Sequence, residues 1–137
     1  MLTTVFQTRW FARWARRQGI GADSLCRAIE EIRQGLVDAD LGGGLIKKRL
    51  SRPGTGKRGA YRTLLATRRG ERWIFVFGFA KNDQDNLEPH EIDALKALAA
   101  HLLALSPEAL RQATQAGELM EVNCDAQATL PRPLCRS

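Results

Sequence analysis

Two β-rich runs, Ala60 to Thr67 and Arg72 to Phe79, lie only four residues apart, with Gly70 in the link between them. Strand-forming residues on both sides of a short glycine-containing link are a hairpin signature. Strict alternation along the second run puts Trp73, Phe75, Phe77 and Phe79 on one face and Ile74 and Val76 on the other. A strand apolar on both faces is covered on both sides, which predicts a core strand. The aromatic row is read as packing rather than as a platform for stacking bases.

The flanking segments must supply the cover, and their periodicity is helical. Arg9 to Gln18 sets Phe11 and Trp14 on one side and arginines on the other, and Gly19 and Gly21 interrupt it. A second helix is predicted from Asp23, read as its cap, with Leu25, Ala28, Ile29, Ile32 and Leu36 as the apolar stripe. Gly42, Gly43 and Gly44 then demand a flexible or tightly turned connection. Beyond the hairpin, Pro89 opens a third helix with Ile92, Leu95, Leu98 and Leu102 in line, and Ser106-Pro107-Glu108 opens a fourth that Gly117 closes. Leu2 to Thr8 and Leu45 to Leu50 read as further strands, and Glu118 to Val122 as an edge strand. The predicted order is β-α-α-β-β-β-α-α, an α+β fold in one domain over 1–122, with 123–137 as a tail.

Composition agrees with a soluble globular chain. Its 137 residues are 44% hydrophobic and 26% charged, ordinary values for one domain. No apolar run approaches the roughly 20 residues needed to span a bilayer, and the arginines after the apolar start are in the wrong order for a secretory signal. Cys26, Cys124 and Cys135 are too few and too scattered for a disulfide framework or a zinc site, so a reduced, cytoplasmic protein without membrane contact is expected.

Charge is distributed unevenly. Residues 44–81 carry eleven Lys or Arg against one acid, Glu71, whereas acids outnumber bases over the rest of the chain. So dense a block matters chiefly to a polyanion in contact with it, and nucleic acid is the natural candidate. Pro53-Gly54-Thr55-Gly56-Lys57 is not a P-loop: Ser51 stands where glycine is required, Arg58 where Ser or Thr is required, and strand-like residues follow. Its glycines instead let backbone approach a ligand beside Lys57 and Arg58. His90 and His101 have no Cys or second His at ligand spacing, so no metal and no cofactor is expected. Lys47, Lys48, Arg49, Lys57, Arg62 and Lys81 come from neighbouring strands and their loops, where side chains can converge. Arginines in such a cluster neutralise phosphate in fork geometry, and a lysine crowded by like charge can accept a proton near neutral pH.

These residues resemble a known family. Gly42-Gly-Gly-Leu-Ile-Lys-Lys-Arg-Leu50, Arg52-Pro-Gly-Thr-Gly-Lys-Arg-Gly59, Tyr61-Arg62 and Gly78-Phe-Ala-Lys-Asn-Asp83 are similar to stretches of the RelE/HigB-type toxins of bacterial toxin–antitoxin pairs. The resemblance runs from about Leu2 to Gly117. It implies a small twisted antiparallel sheet of about four strands with two N-terminal helices and a C-terminal helix. It also implies a metal-independent endoribonuclease that cleaves mRNA in the A site of the 70S ribosome by 2′-OH attack, restrained by an antitoxin of helix-turn-helix type. Carried over by position, Arg62 resembles the central phosphate-stabilising arginine, with Lys57, Lys81 and Lys48 as further catalytic candidates. Lys47, Arg49, Arg52, Arg58 and Asn82 resemble RNA-contacting positions. The Tyr, His or Arg that several relatives place near the C-terminus has no clear counterpart, and Tyr61, the single tyrosine, is read as packing.

Two other functions use the same residues differently. A non-catalytic nucleic-acid-binding module would use the basic block for affinity alone, and a gyrase-directed toxin of related fold would not use it for catalysis.

Overall fold

The computed structural model describes residues 4–52, 56–68, 72–80 and 87–124, and of 51, 52 and 56–60 only the backbone. Along the chain lie β1 (Thr4–Thr8), α1 (Arg9–Gln18), α2 (Ala22–Arg33), β2 (Ala39–Gly42), β3 (Leu45–Arg52), β4 (Gly56–Arg68), β5 (Arg72–Ala80), α3 (Pro89–Leu103), α4 (Pro107–Gln115) and β6 (Leu119–Val122). The strands form one sheet in the order β2-β3-β4-β5-β1-β6. All neighbours are antiparallel except β1 and β5, which run parallel. The α+β expectation holds, with six strands rather than about four. The additional β2 is Ala-Asp-Leu-Gly, a composition of weak strand propensity that sequence reading passes over. Its turn into β3 takes positive φ at Gly42, Gly43 and Gly44, which is what the glycine triplet supplies.

Two apolar layers cover the sheet. On one face, Phe11, Trp14 and Ala15 of α1 and Leu25, Ala28 and Ile29 of α2 pack on Ile46, Leu50, Tyr61, Leu65, Trp73 and Phe75. On the other, Ala99, Leu102 and Leu103 of α3 pack on Leu45, Leu64, Ala66, Ile74, Val76 and Phe79. The single-face aromatic row is therefore corrected: Trp73 and Phe75 lie in the α1 layer, Phe77 and Phe79 in the α3 layer. The cause is a register shift in which Leu64 opposes Phe77 but Leu65 opposes Phe75. The extra residue, Val76, is a bulge that switches the alternation. Gly78, back on the α1 side, accommodates Trp14: a Cβ there would stand 2.3 Å from the indole Cζ3.

Helix ends depart from the sequence reading in detail. Gly21, not Asp23, is the N-cap of α2, and Leu36 lies beyond the helix, exposed. Glu88 and Glu91 form a capping box at the start of α3. At its end, Arg72 donates through Nη1 to the carbonyls of Leu102, Leu103 and Leu105. Cys26 and Cys124 are joined in a disulfide, with Cα atoms 5.4 Å apart across 98 residues. This corrects the expectation of unpaired cysteines, which scattered positions in sequence could not foresee, and it ties the first residues of the expected tail to α2. Residues 125–137 lie outside the described residues. Among the described residues, no helix is long and apolar enough to cross a membrane.

Candidate functional site

The central hairpin positions the site. Arg49 on β3 and Arg62 on β4 are direct Cα partners, and Phe79 on β5 stands across from Arg62 on the other side. Lys47 is one alternation along β3, opposite Leu64. Since Leu64 and Phe79 belong to the α3 layer, pleat alternation places Lys47, Arg49 and Arg62 on that same face. Thr63, fully buried, donates through Oγ1 to the Lys48 carbonyl at 2.8 Å and fastens the strand pair beside Arg62.

Two electrostatic facts define the place. Directly opposed residues hold their Cβ atoms about 5 Å apart, and like charges so placed destabilise a sheet. Arg49 and Arg62 are such a pair. In addition, Nη1 of Arg62 is buried and has no hydrogen-bond partner among the described residues. A buried donor left unsatisfied costs about 1–3 kcal/mol. An oxyanion bound at the Arg62 guanidinium would supply the missing acceptor and relieve the repulsion, because arginine forks match the geometry of phosphate oxygens.

Lys48 is not part of this group. It alternates onto the α1–α2 side, is 6% exposed, and holds Glu31 Oε1 at 2.8 Å and the Leu36 carbonyl at 3.0 Å through Nζ. Its expected place beside Arg62 is thereby corrected: odd and even residues of β3 face opposite layers, and Lys48 serves to anchor α2. Tyr61 is buried, edge-on to Trp14, with its hydroxyl 3.2 Å from Gln18 Oε1, in keeping with packing. Arg52, Lys57 and Arg58 are carried on the ends of β3 and β4, where Arg52 pairs with Gly56, and their side chains lie outside the described residues. Lys81 and Asn82 lie outside them altogether. Sequence reading missed Phe77 and Phe79 as the floor of this face, since nothing in the local sequence signals the bulge that turns them there.

A family model described as RelE toxin of RelE / RelB toxin-antitoxin system matches residues 3–122. The chain belongs to the RelE toxin family. The matched segment takes in every element from β1 to β6, so the Arg49–Arg62 pair lies within the family's unit. A search of curated proteins gives no match. As a RelE-family chain it is the toxin of a toxin–antitoxin system, and that membership implies an antitoxin as partner.

Proposed function

We propose that this toxin is an mRNA interferase that cleaves mRNA in the ribosomal A site, with Arg62 as the group that neutralises the reacting phosphate. In the proposed step, the ribose 2′-oxygen forms a bond to the adjacent phosphorus and the bond to the 5′-oxygen of the next nucleotide breaks. The products are a 2′,3′-cyclic phosphate and a 5′-hydroxyl. The proton lost by the 2′-OH balances the one gained by the leaving 5′-oxygen. Negative charge grows on the non-bridging oxygens as the phosphorane forms, and a pre-positioned guanidinium stabilises that charge more than it does the ground state. Arg49 and Lys47, alongside on the same face, hold the flanking phosphates. Lys57 and Lys81 are the proton-transfer candidates, and Arg52, Arg58 and Asn82 the further RNA contacts.

One observation carries the reading: the Arg62 nitrogen, unpartnered among the described residues, beside a second, directly opposed arginine. Packing alone gives no reason to keep such a pair on adjacent strands, whereas an incoming phosphate does. The test is incubation of the protein with programmed 70S ribosomes, followed by mapping of mRNA ends. New 5′-hydroxyl ends within the A-site codon are expected, with 2′,3′-cyclic phosphates on the upstream fragments. Intact mRNA accompanied by salt-sensitive RNA binding would replace this reading with a non-catalytic module. Intact mRNA accompanied by gyrase inhibition would replace it with a gyrase-directed toxin.

A further inference from the structure

The basic block around the hairpin is not the only positive surface among the described residues. Helix α1 reads Arg-Trp-Phe-Ala-Arg-Trp-Ala-Arg-Arg-Gln, with four arginines and no acid. At 100° per residue, Arg9, Arg13, Arg16 and Arg17 fall within an arc of about 100°, centred opposite the buried Phe11, Trp14 and Ala15. All four are exposed. Among the described residues none of them forms an ion pair, unlike Lys48 with Glu31 or Arg111 with Glu108.

This arrangement is unfavourable for the helix itself. Arg9 and Arg13, and Arg13 and Arg17, stand at i,i+4, where like charges destabilise. A helix face serving solubility alone interleaves both signs. Local roles account for part of the set: Arg9 Nε donates to the Gly117 carbonyl at 3.1 Å, and Arg16 and Arg17 suit the negative end of the helix dipole. Arg13 has neither role, and the exclusive use of arginine over lysine favours bidentate binding of oxyanions.

Placement decides what kind of oxyanion. Helix α1 packs on the sheet face opposite the one that presents Arg49 and Arg62. Only the first turn of α1 reaches round to the cleft side, where Trp10 stacks on Phe77 with ring centroids 4.7 Å apart and Arg9 shares a hollow with Phe77 and Leu98; Arg13, Arg16 and Arg17 lie beyond that turn. The stripe runs about 12 Å along a rigid, convex helix, a shape that cannot enclose a flexible strand but can lie along a regular row of phosphates. We infer that the outer face of α1 is a second nucleic-acid surface that docks on the phosphate backbone of a double-helical RNA, separate from the cleft. The choice of RNA over DNA rests on the cleavage reading; the existence of the surface does not.

The test measures binding of the full-length protein to a 16-base-pair RNA duplex across a salt series, for the wild type, for Arg13→Gln/Arg16→Gln/Arg17→Gln and for Arg62→Ala. Each lost phosphate contact lowers the slope of log K against log salt by roughly 0.9. The triple variant is expected to show a slope shallower by about 2–3 and an affinity at least tenfold weaker near 0.1 M salt, with an unchanged circular dichroism spectrum. Arg62→Ala is expected to bind the duplex within about twofold of wild type, whether or not it cleaves mRNA. Three results would overturn the inference. These are an unchanged slope in the folded triple variant, an equal loss of duplex binding in Arg62→Ala, and an equal loss by the triple variant of binding to polyglutamate, which would mark the stripe as a site for acidic protein. Tighter binding to the DNA duplex of the same sequence would overturn the choice of RNA.

Discussion

Arg49 and Arg62 oppose each other across β3 and β4, and two properties that usually rise and fall together are expected to separate at this pair. Replacing Arg49 with glutamine removes a cross-strand repulsion worth a few tenths of a kcal/mol to about 1 kcal/mol. The melting temperature is expected to rise by about 1–3 °C, while mRNA cleavage falls about tenfold through loss of a phosphate contact. Calorimetry and end-mapping on the same preparation check both. Lys48 behaves in the opposite sense. Its ammonium is buried against Glu31 and the Leu36 carbonyl, and the side chain of Glu31 is itself 40% exposed, which moderates the cost of losing the pair. Lys48→Ala is expected to lower stability by about 1–3 kcal/mol in urea unfolding, with the cleavage rate per folded molecule unchanged. Sequence reading places Lys47 and Lys48 in one basic cluster, with Lys48 as the catalytic candidate, because periodicity gives the alternation of a strand but not which layer each face meets.

The elements most accurately read from sequence were those with strong local signals. Helix α1 begins and ends where its pattern predicts, and α3 starts at Pro89 behind acidic residues. What remained hidden depends on partners distant in the chain. The Val76 bulge exists only through pairing with β4, and the Cys26–Cys124 bridge only because α2 reaches the end of β6. Gly78 shows the same dependence: within the family-like Gly-Phe-Ala-Lys-Asn-Asp stretch its use is to admit the Trp14 ring. Gly78→Ala drives a methyl group into that ring and is expected to cost about 1–3 kcal/mol, seen as an earlier unfolding midpoint and a changed tryptophan emission. For the bridge, closing a long loop restricts the unfolded chain, a contribution of about 2–4 kcal/mol. Reduction, or Cys26→Ser, is expected to lower the urea midpoint accordingly, with the secondary structure retained at low denaturant.

At the scale of the molecule, the excess of bases over residues 44–81 seen in sequence becomes a directional property. The sheet separates two surfaces: the α3 side presents Lys47, Arg49 and Arg62, and beyond the α1 layer lie the arginines of the first helix. Composition alone indicated a polyanion, and the topology is what divides the positive charge between two faces. The most direct test of the central claim is the single-turnover rate of mRNA cleavage on programmed ribosomes by Arg62→Ala beside the wild type, with the folded fraction of each fixed by calorimetry. Loss of a group that stabilises transition-state charge predicts a rate lower by about 10²–10³-fold in a protein that melts as the wild type does or slightly higher. A fully folded Arg62→Ala protein that cleaves at the wild-type rate would contradict it.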